Sequence, residues 1–83
     1  MNENVYVEVF LPALNTAYDF ILPIKMKTGA VIDLMAVAIM EKEHIALNPE
    51  YLLLFDFDRK LLIDCNLTVY GAKIMDGNRL MLV

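Results

Sequence analysis

Apolar and polar positions alternate from the start of the chain. Val5, Val7, Val9 and Leu11 take turns with Tyr6, Glu8 and Phe10, the pattern of a strand with one buried face. Pro12 ends that ladder, and "PALNTA" (12–17) supplies a turn. Alternation resumes in "YDFILPI" (18–24), with Tyr18, Phe20, Leu22 and Ile24 on one face. The two strands therefore predict a hairpin, in which Pro23 must end the second strand or face a free edge. The period then changes. "AVIDLMAVAIMEKEH" (30–44) reads as a helix, with Thr28 placed to cap it and Asp33 near its positive end. Val31, Leu34, Met35, Ala38 and Ile39 form a stripe at helical spacing. Ile32, Ala36, Val37 and Met40 are apolar as well, so the pattern leaves the buried face open within about a turn.

The second half is more broken. "IALNPE" (45–50) is a loop, and Asn48-Pro49 marks a turn. "YLLLFDF" (51–57) predicts a buried strand, "DRK" a turn, and "LLID" (61–64) a short strand. Residues 65–75 connect to Asp76-Gly77, a turn into a closing strand. There Leu80 and Leu82 face one way, Met81 and Val83 the other. Hairpin, helix, two short strands and a final strand make an α+β domain. Its first and last strands can lie side by side in the middle of the sheet, under one helix.

Composition sharpens this picture. The 83 residues make a single domain, 1–83, that is 59% apolar. A domain so small has little interior, so part of this apolar material is expected at a surface needing a partner. The net charge is −4, and the Lys and Arg residues are scattered, which argues against nucleic acid. Leu34–Met40, the longest apolar run, is far below the ~20 residues of a membrane span, so no membrane insertion is expected. The start lacks the basic and apolar segments of a signal peptide, and Cys65 has no second cysteine. Both point to a cytoplasmic location.

The order of elements resembles the ubiquitin-like β-grasp fold: a mixed sheet of four to five strands with one helix packed across one face. A helix led by Thr28 follows a hairpin, and "EYLLLFDFDRKLLID" looks like the third and fourth strands of that fold. "NLTVYGAKIMDGNRLMLV" looks like its closing segment, matched at Leu67, Tyr70, Gly71, Asp76, Gly77, Asn78, Leu80, Leu82 and Val83. The departure is "AKIM", about two residues longer than usual. Within the superfamily, "VIDLMAVA" and "MDGNRLMLV" look most like the small ubiquitin-like proteins of Gram-positive type VII secretion, the YukD/EsaB group. That resemblance implies a bacterial, non-conjugated module that acts by binding protein, with the secretion machinery as a partner. Modifiers and sulfur carriers of this superfamily instead end in a flexible Gly-Gly tail. This sequence closes on Leu82-Val83, and the alternative is a carrier or modifier from which a tail is missing.

Candidate chemistry is sparse. His44, the only histidine, sits where a helix C-terminus favours a cation. Cys65 reads as a buried structural thiol. Asp56, Asp58 and Asp64 lack a calcium-loop pattern, and Asp56 and Asp58 read as a solvated turn. No catalytic residue, metal site or cofactor site is assigned, and no enzyme is expected. Two binding surfaces are. By the resemblance, a patch on the open sheet face takes in Leu14 and Val83, with Leu52 or Leu53 depending on register. Met81 joins Val83 by strand alternation. On the helix, Ile32, Val37 and Met40 form a belt away from the core stripe, which predicts a homodimer or higher oligomer.

Overall fold

A computed structural model describes residues 3–83. Strand β1 (Asn4–Leu11) and strand β2 (Thr16–Pro23) pair antiparallel, joined by a 3-10 turn over Pro12–Leu14. Asn15 closes that turn in the left-handed region, at φ 51°, and its backbone N–H donates to the Pro12 carbonyl. Asparagine tolerates that conformation better than most residues. Helix α1 (Thr28–Glu43) follows, then a 3-10 turn at Pro49–Tyr51. Strand β3 (Leu54–Asp56), strand β4 (Leu61–Leu62) and strand β5 (Asn78–Leu82) complete the sheet. The order across it is β2-β1-β5-β3-β4. The central pair, β1 with β5, is parallel, and the other pairs are antiparallel. Pro23 is the last residue of an edge strand, where its missing N–H leaves no ladder bond unmade.

The core lies between the sheet and α1. Val7, Val9, Leu11, Leu22, Leu54, Leu80 and Leu82 supply the sheet's share, and Val31, Ile32, Met35, Ala36 and Ile39 the helix's. The buried helix face is therefore rotated from the expected stripe. Leu34 and Ala38 are exposed, and Ile32 and Ala36 take their places. Ile32, assigned above to a surface belt, is 6% exposed and belongs to the core. Val37 is exposed and Met40 half-buried, so the belt loses a third of its residues. The helix ends at His44, which takes the left-handed capping position at φ 56°.

Thr28 does not cap the helix. Lys27 holds the capping position, and the Thr28 side chain is fully buried. Its hydroxyl lies 2.9 Å from the Asp64 carbonyl and 3.1 Å from that of Leu67. The Thr28 and Gly29 N–H groups donate to Leu67 and Cys65. The free donors of the first helical turn thus take the 64–67 segment as their cap, and tie it to the helix start.

The stretch 51–57 also differs from expectation. Only Leu54–Asp56 is regular strand, and Tyr51, Leu53 and Phe57 are exposed. Asp56 is the reverse: expected in solvent, it is fully buried. It accepts from the Arg59 backbone N–H at 3.0 Å and from Arg59 Nε at 2.6 Å, while the same guanidinium donates to the Ala72 carbonyl. A buried carboxylate needs such a partner. Cys65, expected to be buried, is exposed.

Candidate functional site

The helix covers one face of the sheet. On the other, strand alternation aims the residues between the core residues outward. In β1 these are Tyr6, Glu8 and Phe10; in β5, Arg79 and Met81. The register then assembles a line that no single strand contains. Ala17 pairs with Phe10, Phe10 with Met81, Met81 with Phe55, and Phe55 with Leu62. An unbroken apolar row crosses all five strands. Leu53 and Val83 extend it on one side, each donating its backbone N–H to the other's carbonyl, at 2.6 and 2.9 Å. This resolves the choice within "YLLLF". Leu53 is the outward residue, 52% exposed, and Leu52 packs against the core.

A charged row runs beside the apolar one. Asp19 pairs with Glu8, and Glu8 with Arg79; Phe57 follows, its N–H donating to the Arg79 carbonyl. The Arg79 guanidinium does not turn to Glu8. It stands 5.0 Å from the centre of the Phe57 ring and pairs with Asp58 at 2.8 Å. Asp58 also accepts from the Arg79 backbone N–H and the Asn78 amide. The Arg79 N–H first, then the Asn78 amide and the guanidinium, hold the Asp58 carboxyl down to about 2. Asp19 and Glu8, by contrast, enter no ion pair among the described residues. Hydrogen bonding to Asp19 raises the Tyr6 phenol above its ordinary value. Between the two rows lies a groove of about 270 Å³, lined by Glu8, Phe10, Phe57, Arg79, Leu80 and Met81. A fixed cation over an aromatic ring beside apolar side chains suits a buried anchor residue of a protein partner.

Met81 and Val83 thus lie on the outer face as the alternation implied. Leu14 sits in the turn after β1, half-buried and packed in part against the core. Val37 is exposed and Met40 half-buried on the helix, on the opposite side of the molecule from the row. Phe10, Phe55, Phe57, Leu62 and Arg79 were not singled out from the sequence. For Phe10 and Phe55 the signal was an apolar residue on the outward side of β1 and β3, which a lone strand does not turn into a surface. Among the described residues, no cluster of three or more His, Cys, Asp or Glu is placed to hold a metal ion. Nor is any described helix long and apolar enough to cross a membrane.

No protein-family model matches the sequence, and no curated protein matches it. Solved structures do. The EccD5 ubiquitin-like domain from Mycobacterium xenopi superposes with a TM-score of 0.77 at 17% identity, over 99% of this chain and 94% of that one. Ubiquitin of Caldiarchaeum subterraneum gives 0.69 at 19% identity, over 95% and 90%. The ubiquitin-like domain of Arabidopsis thaliana At2g32350 gives 0.76 at 8%, over 99% and 78%. The fold is the ubiquitin-like β-grasp. At these identities the likeness concerns the ubiquitin-like scaffold alone. The longer "AKIM" connection is absorbed locally: Lys73 takes φ 61°, and Ala72 and Ile74 turn into the core.

Proposed function

We propose that this ubiquitin-like protein is a non-conjugated interaction module, binding a protein partner through the open face of its sheet. The observation that carries the reading is the apolar row from Ala17 to Leu62, exposed at its two ends and half-buried at Phe10, Met81 and Phe55, in a domain whose other sheet face is sealed by the helix. Exposed apolar surface of this continuity is the usual mark of an interface. A carrier or modifier would have to present a mobile tail beyond Val83, which pairs with Leu53 at the end of the ladder. A place in type VII secretion, as a cytoplasmic accessory or regulatory component, is supported by "VIDLMAVA" and "MDGNRLMLV" and by the likeness to the EccD5 domain.

The test is capture of a partner from the source cells by the intact protein. Leu53→Asp and Leu62→Asp, both at exposed positions of the outer face, should abolish capture and change stability by less than about 1 kcal/mol. Capture retained by both folded variants would refute the sheet face and direct attention to Val37 on the helix. An intact mass of the native protein completes the test, because an extension ending in Gly-Gly would establish the carrier or modifier alternative.

A further inference from the structure

Resting on the sheet-face reading, we propose that the occupant of this face is a second copy of the same chain, related by a two-fold axis running along the strands between β1 and β5. Across β1 and β5 the outer face is self-complementary about that line. Turned over about it, β1 of one copy stacks on β5 of the other, and β2 on β3. Glu8 then meets the partner's Arg79, and Arg79 the partner's Glu8, since the two stand side by side in the register of one copy. In the apolar row, Phe10 meets Met81 and the small Ala17 meets the large Phe55. Aromatic ring against thioether, and small against large, are the pairings a packed interface uses. An axis at right angles to the strands through the charged row would instead set Glu8 on Glu8 and Arg79 on Arg79.

The charges are free to pair in this way. Glu8 has no ion-pair partner in its own copy among the described residues, although Arg79 is its neighbour on the next strand. Asp58 occupies Nε and one terminal nitrogen of Arg79, while the side chain remains 58% exposed. A guanidinium has five N–H donors, so it can take a second carboxylate. Stacked sheets lie ~10 Å apart with strands crossed by about 30°, which the two-fold allows if the strands lean about 15° from it. The overlap is small. Four strands at ~4.8 Å and rows at ~6.8 Å span a face of about 14 by 20 Å. That is well below the ~800 Å² per partner of a standard interface, so the dimer is a weak one.

Charge reversal tests the geometry. Glu8→Arg alone puts two like-charged pairs into the dimer, and so does Arg79→Glu alone. Mixed one to one, the two variants form a heterodimer in which both pairs are again opposite in sign. Sedimentation equilibrium from ~10 µM to ~1 mM, the range in which a weak dimer dissociates, should show each variant dimerising at least about tenfold more weakly than the parent. The mixture should return to within about threefold. A second readout needs only the parent chain, in case Arg79→Glu disturbs Asp58. In a sample mixing isotope-labelled and unlabelled copies, filtered NMR should give contacts between the Phe10 ring and the Met81 methyl of different copies. A monomeric parent at 1 mM, single variants that dimerise like the parent, or a mixture no better than its components would each overturn the proposal. Loss of partner capture in Leu53→Asp and Leu62→Asp would still uphold the binding reading in that case.

Discussion

Arg59→Ala probes Asp56, the one fully buried carboxylate among the described residues. Asp56 is sealed from solvent, and the Arg59 side chain above it is 35% exposed. The substitution removes the 2.6 Å bond from Nε and the donor to the Ala72 carbonyl, leaving Asp56 only the backbone N–H of residue 59. Breaking a fully buried pair costs about 3–5 kcal/mol, because a charge is left without a partner. Partial exposure of Arg59 lets water reach the vacated site, which lowers the expected loss to about 2–3 kcal/mol. A domain of this size is stable by about 4–12 kcal/mol, so the loss is a large share of the whole. The melting temperature should fall by roughly 10–20 °C. Urea unfolding followed by circular dichroism measures the change directly. The double variant Asp56→Ala/Arg59→Ala adds a check: it strands no charge, so its loss should undercut the sum of the single variants by at least about 1 kcal/mol. A loss below about 0.5 kcal/mol for Arg59→Ala, or strict additivity, would refute the account of Asp56 as a charge held by Arg59.

Thr28→Val keeps shape but removes the hydroxyl that reaches the Asp64 and Leu67 carbonyls; an expected loss of about 1–2 kcal/mol is read from the same unfolding curves. Because the Asp58 carboxyl is held down at about 2 against an ordinary 3.8, its contribution to stability is complete above about pH 4 and disappears as pH falls toward 2. Thermal melts of Asp58→Asn between pH 2 and 5 should therefore show a shallower pH dependence than the parent, and parallel curves would contradict this. Cys65, exposed in the fold, should react with a thiol reagent in the native protein at nearly the rate seen in urea. Gly77 has φ +82° with open space around it, so Gly77→Ala should cost about 1 kcal/mol in unfolding experiments through backbone strain alone.

Elements with one buried face were the legible ones. β1, β2 and β5 alternate cleanly, and their inward residues are those the alternation named. The helix was legible in extent but not in orientation. Leu34, Val37 and Ala38 are as apolar as the residues beside them that are buried, so hydrophobicity alone cannot choose a side. Asp56 and Cys65 were misjudged for a different reason. Their burial depends on neighbours remote in sequence or in local geometry: the Arg59 bridge to Ala72 for one, and the close approach of residue 65 to the start of α1 for the other. At the candidate site, Met81, Val83 and the residue pair 52/53 could be named from the sequence. The row could not, because it exists only once five strands are in register, and a shift of one residue in any of them would break it.

The parallel pairing of β1 with β5 also sets a timetable. The Tyr6 N–H bonds to Asp76, a partner 70 residues away, and the middle of the sheet depends on that closure. The β1–β2 hairpin and α1 are local and can form early, but neither has its full cover until β5 arrives. During synthesis, β1 therefore emerges long before the strand it lies against, with one edge bare for nearly the whole interval. Such an open edge is where a nascent chain attracts chaperones or pairs wrongly. Folding of this small domain is thus a late, concerted event, governed by loop closure across almost its entire length.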